Sequence, residues 1–96
     1  MSADNGIYIL ESDGPQFRVA EMQNIENLNW DDQKKRMTEE EVIILANARD
    51  MFKGAKVFDK QDEAMKEAIT IYNDIIKSDF PVIEYGIVPI KIIGKF

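Results

Sequence analysis

The chain has 96 residues and contains neither cysteine nor histidine. Without cysteine there are no disulfides, no thiolate nucleophiles, no iron–sulfur ligands and none of the usual structural zinc sites. The loss of histidine excludes more. Histidine is the usual general base near neutral pH and the commonest metal ligand, so histidine-containing triads and H-E-x-x-H zinc sites are ruled out within this chain. Serine is scarce as well. Ser2, Ser12 and Ser78 are the only three, and none lies in a G-x-S-x-G elbow. The five glycines, at positions 6, 14, 54, 86 and 94, match neither the P-loop nor the dinucleotide-binding pattern. The acidic pairs and triplets offer hard oxygens at Asp31-Asp32 and Glu39-Glu40-Glu41, but no D-x-[DN]-x-[DN]-G run is present. The chemistry left open is thin, and the sequence predicts a non-enzyme with no cofactor and no metal.

Long apolar runs are missing too. No stretch approaches the roughly 20 residues that span a bilayer. The opening Met-Ser-Ala-Asp-Asn-Gly has no basic region and no apolar region of a signal peptide. The expected setting is cytoplasmic, with no membrane partner. Positive charge is short: 12 basic against 18 acidic residues give a net charge of −6. The imbalance is local. Residues 1–50 carry 11 acids and 5 bases, whereas residues 51–96 carry 7 of each. Nucleic-acid binding rests on cationic neutralisation of phosphates, so it is not expected here. An acidic face drawn from the first half would suit a basic partner surface, and the same charge also keeps a small protein soluble.

What is present fits one small domain with one core, since a chain of this length has little surface to spare. The apolar share of 45% is that of an ordinary globular protein. Residues 6–11 form a strand pattern, with Ile7 and Ile9 on one face and Tyr8 and Leu10 on the other. The run Ser12-Asp13-Gly14-Pro15 is a turn, and residues 16–22 set Phe17 and Val19 against Arg18 and Ala20. Two such runs around a short glycine-containing link predict a β-hairpin. Thr38 and Glu41 have capping-box spacing and open a helix running to Phe52, with Gly54 as its stop. Val42, Leu45, Ala46 and Arg49 share a face of that helix, widened by Ile44, Ala48, Met51 and Phe52.

Residues 56–58 are a short strand, and Asp59 is the expected cap of a second helix. Its apolar stripe is Met65, Ala68, Ile69, Tyr72, Ile75 and Ile76. Pro81 follows it. Residues 82–93 are β-rich, but Gly86 and Pro89 break the run or place it at an edge. The predicted fold class is α+β: an N-terminal β-hairpin, and two main helices packed on one face of a small, mainly antiparallel sheet.

Two segments invite binding. In residues 22–30, amides and acids alternate with Ile25, Leu28 and Trp30, and tryptophan is enriched at binding hot spots; the same pattern also suits a half-buried turn. The apolar tail Ile92-Ile93-Gly94-Lys95-Phe96 suits a docked terminal strand, or an edge open to a second copy in a homodimer.

Three pieces of the chain also resemble a group of small bacteriophage-encoded proteins of undefined function. They are the opening from Ser2 to Leu10, then Arg18-Val19-Ala20 followed by Ile25-Glu26-Asn27, and the late Glu84-Tyr85-Gly86-Ile87. The group often has a histidine after its Arg-Val strand, where this chain has Glu21. The resemblance implies a phage or prophage origin and action inside a bacterial cell. Small acidic phage proteins often act by binding, so the expected function is a non-enzymatic accessory protein that binds a host or phage protein and inhibits a host enzyme or defence system. The alternatives are a nucleotide-type small-ligand binder and a minor virion component. The implied site gathers Asp4, Asn5, Arg18, Glu26, Asn27, Glu84 and Tyr85 at one sheet end, and Trp30 joins the candidate binding residues on its residue type alone. The structural alternative makes Asn5-Gly6 a turn and pairs Arg18 with Glu26 or Glu84.

Overall fold

A computed structural model of the chain describes residues 5–23, 38–77, 86–92 and 94–96. Six elements follow in order: β1 (Asn5–Ser12), β2 (Gln16–Gln23), α1 (Glu39–Lys53), β3 (Val57–Phe58), α2 (Gln61–Ile76) and β4 (Ile87–Lys91). The strands form one sheet in the order β3-β2-β1-β4. β1 and β2 are the antiparallel hairpin, β3 joins β2 antiparallel, and β4 joins β1 in parallel. The class is α+β, and the sheet is mainly antiparallel. The hairpin turns through Asp13-Gly14-Pro15, where Gly14 sits at φ +143°, a backbone conformation that side chains resist.

The expectation that both helices share one face of the sheet does not hold. Alternation along β1 explains why. Ile7, Tyr8, Ile9 and Leu10 are all buried, so β1 presents apolar groups to both sides. A helix layer on one side alone would leave half of them in water, at roughly 1.5–3 kcal/mol per exposed side chain. The structure instead builds two clusters. Tyr8, Leu10 and Ala20 pack with Ala48 and Phe52 of α1 and with Ile92. Ile7, Ile9, Phe17, Val19 and Phe58 pack with Ala64 and Ala68 of α2. The sheet is the middle layer of three. Alanines on the buried sides of both helices let their backbones approach the strands closely. The path of α2 follows from topology, since it leads from β3 toward β4 and packs across β2 and β1 on the way.

The buried stripes are rotated from those expected. On α1 the sheet-facing side is Ile44, Leu45, Ala48 and Phe52, while Val42, Ala46 and Met51 are exposed. On α2 it is Ala64, Met65, Ala68, Ile71 and Tyr72, while Ile69 and Ile76 are exposed. Small residues decide the difference, because alanine marks the line of closest approach to a sheet. Asp59 does not cap α2. The N-cap is Lys60, whose side chain makes no capping bond. At the start of α1 the backbone N–H of Val42 donates to the Thr38 carbonyl at 3.0 Å. The expected return bond from Glu41 lies outside the described side chains. Gly54 follows directly on α1, its N–H donating to the Asp50 carbonyl.

Gly86, at φ +67°, turns the chain into β4, and its carbonyl accepts the Ile7 N–H at 2.8 Å. At the other end the Ile92 N–H donates to the Glu11 carbonyl at 3.0 Å. These two bonds set the phase of the parallel ladder: residues 86, 88, 90 and 92 direct their backbone groups to β1, and 87, 89 and 91 direct theirs outward. Pro89 therefore costs the ladder nothing and deletes a donor from the edge that β4 leaves open among the described residues, a known protection against strand addition. Replacing Pro89 by valine is expected to restore that donor and produce concentration-dependent dimers on size exclusion. An elution volume independent of concentration would show that the edge is protected by something else.

Candidate functional site

Of the eight residues proposed from sequence as a binding site, Asp4, Glu26, Asn27, Trp30, Glu84 and Tyr85 lie outside the described residues. The other two are kept apart. Asn5 opens β1 opposite Gln23, at the open end of the hairpin, and its position shares the α2 side with Ile7 and Ile9. Arg18 pairs with Leu10 near the turn and shares the α1 side. They are separated by five positions along the hairpin, roughly 16 Å, as well as by the sheet itself. Asn5-Gly6 is not a turn, since both residues are inside β1. The Asn5 amide donates to the Glu21 carboxylate at 3.0 Å, while its buried Oδ1 has no donor among the described residues.

Arg18 belongs to a different cluster. Its guanidinium donates through one nitrogen to the Ser12 hydroxyl at 3.3 Å and through the other to the Gln16 side-chain carbonyl at 3.2 Å. Ser12 is the buried polar residue at the end of β1, and this bond satisfies it. The same guanidinium lies 4.6 Å from the centre of the Phe96 ring. Arg49 of α1 approaches that ring at 6.0 Å. Behind it, buried Phe52 meets Phe96 edge to face, with centroids 6.4 Å apart. The tail is held there by the Asp13 N–H, which donates to the Gly94 carbonyl at 2.9 Å. A shallow groove of about 320 Å³ runs beside the ring, lined by Arg49, Asp50, Lys53 and Phe96.

Sequence reasoning missed this grouping. Arg49 and Lys53 are one helical turn apart and could have been paired from spacing alone. Arg18 and Phe96 could not, because they meet only when the tail runs past the hairpin turn. A second surface was also missed, because the buried stripe of α1 was placed too far round. Val42 and Ile43 are 50% and 60% exposed, and Ala46 is exposed beside them. Exposed Glu39 and Glu40 flank this patch one turn earlier.

Among the described residues no group of three or more acids could hold a metal ion, and no helix is long and apolar enough to cross a membrane. Comparison with protein-family models, with curated proteins and with solved structures finds no match.

Proposed function

We propose that the chain is a small phage accessory protein that works by binding a host protein, with the outward side of α1 as its contact surface. The carrying observation is that Val42, Ile43 and Ala46 stand in solvent on the side of α1 turned away from the sheet. An apolar patch with a charged rim is the usual make-up of a protein-binding surface. The rim here is acidic, through Glu39 and Glu40, which suits a partner with basic groups around an apolar centre. Blocking a host enzyme or a defence system is the activity such a binder would have. The resemblance of the opening and middle segments to small phage proteins supports the host setting.

The test uses the full chain as bait in a bacterial lysate, beside the Ile43→Glu variant. Residue 43 is exposed, so the variant should keep the circular dichroism of the parent. Burying the exposed half of such a side chain contributes about 1 kcal/mol, and a charge at the centre of the contact adds to the loss. The variant is expected to bind about tenfold or more weakly. Failure to recover a specific partner, or equal recovery by both proteins, would count against the proposal.

A further inference from the structure

Of the six asparagines in the chain, only Asn5 precedes a glycine. With no side chain on Gly6, nothing shields its backbone nitrogen from the Asn5 side-chain amide. That arrangement favours spontaneous deamidation. The Gly6 nitrogen attacks Cγ of Asn5, the N–Cγ bond forms, the Cγ–Nδ2 bond breaks, and ammonia leaves with the proton of the Gly6 N–H. Water then opens the succinimide ring at either carbonyl. The product is an aspartyl or isoaspartyl residue at position 5, and in both cases an amide has become a carboxylate. Three features of the fold oppose the attack. Ile7 donates to β4, so Gly6, one residue earlier, directs its N–H to β2, where Met22 is its partner in register. Attack would take that nitrogen out of the ladder. The leaving nitrogen, Nδ2, is pinned to the Glu21 carboxylate at 3.0 Å. Negative charge would develop on Oδ1, which is buried and has no donor among the described residues to stabilise it.

We propose that Asn5 is a self-modification site gated by the open end of the hairpin: it deamidates when the β1–β2 ladder frays there, and the carboxylate it gains keeps that end from closing again. The second half follows from Glu21. A carboxylate at position 5 has no proton to donate to the Glu21 carboxylate and repels it across the strands. The isoaspartyl form also lengthens the backbone between residues 5 and 6, which displaces whatever precedes Gly6 from the ladder register. Fraying at a strand end costs far less than global unfolding, so the gate opens in the folded protein. The site shares no residue with the outward side of α1 and stands apart from the protein-partner proposal.

Peptide mapping by mass spectrometry follows the loss of ammonia at Asn5 in the full chain, incubated at mildly alkaline pH with and without urea. The unfolded chain is expected to deamidate at least about tenfold faster, a factor set by the cost of opening the ladder end. Glu21 is exposed, so Glu21→Ala should keep the circular dichroism of the parent. Its folded-state rate is expected to rise by about threefold or more, because the pin on Nδ2 is gone, while its rate in urea stays that of the parent. Amide hydrogen exchange reads the product. Asn5→Asp should exchange faster than the parent at Gly6 and Met22, and adding Glu21→Gln should slow it again, since the new amide can donate to the carboxylate. Equal rates with and without urea would overturn the proposal. So would an unchanged folded-state rate in Glu21→Ala, or exchange in Asn5→Asp no faster than in the parent.

Discussion

Replacing Phe52 by alanine is expected to remove about 3–5 kcal/mol of stability, the usual cost of deleting a buried aromatic ring. Phe52 is fully buried, and it is the largest side chain that α1 sends into the sheet. It packs in the cluster that contains Tyr8 and Leu10, and it supports the Phe96 ring from behind. Its neighbours Ala48 and Ala20 are too small to refill the space. A domain of this size has only about 5–15 kcal/mol in total. Each kilocalorie lost lowers the melting temperature by roughly 4–8 °C, so the midpoint should fall by at least about 12 °C. Thermal unfolding followed by circular dichroism measures it. A loss below about 1 kcal/mol would mean that Phe52 is not buried against the sheet. The same variant should broaden the Phe96 resonances, since the ring loses its edge-to-face partner.

The second large effect is on the opposite side. Ala68 is fully buried where α2 meets Ile7, Ile9 and Val19. Glutamate at this position would overfill the contact and bury a carboxylate with no partner, and the combined penalty is expected to exceed about 4–5 kcal/mol. That is a large part of the total stability, so the urea midpoint should fall sharply. Ile69 is the adjacent residue and is 45% exposed. Ile69→Glu should therefore cost no more than about 1 kcal/mol. Urea unfolding of the two variants compares neighbouring positions that differ chiefly in the face they occupy. Equal losses would show that the orientation of α2 is not the one described.

The order of elements was legible in the sequence because its signals are local. A β-rich apolar run marks β1, alternation marks β2, the turn residues mark the hairpin, and Gly54 marks the end of α1. The placement of the helices was also encoded, in the four consecutive apolar residues Ile7 to Leu10. A strand that is apolar on both sides needs cover on both sides. Ile69 and Ile76 misled the reading of α2, because apolar spacing alone does not say which side of a broad stripe meets the sheet. Ala64 and Ala68 carry that information through their small size. The pairing of β4 with β1 is non-local, and so is the meeting of Phe96 with Arg18. Neither has a signature at short sequence separation. For the site, sequence reasoning picked out Arg18, but through a polar grouping with Asn5 that the hairpin register prevents.

The proposed contact surface depends on α1 having its own side of the sheet. In that arrangement Val42 and Ile43 point into solvent while Phe52 packs against the sheet. A methyl and aromatic NOESY spectrum of the full chain tests that arrangement most directly. Contacts from the Phe52 ring to Leu10 and Ile92, and from the Ala68 methyl to Ile7, Ile9 or Val19, are the predicted result. Contacts from both helices to the same β1 side chains would contradict it, and would remove the physical basis for the proposed contact surface.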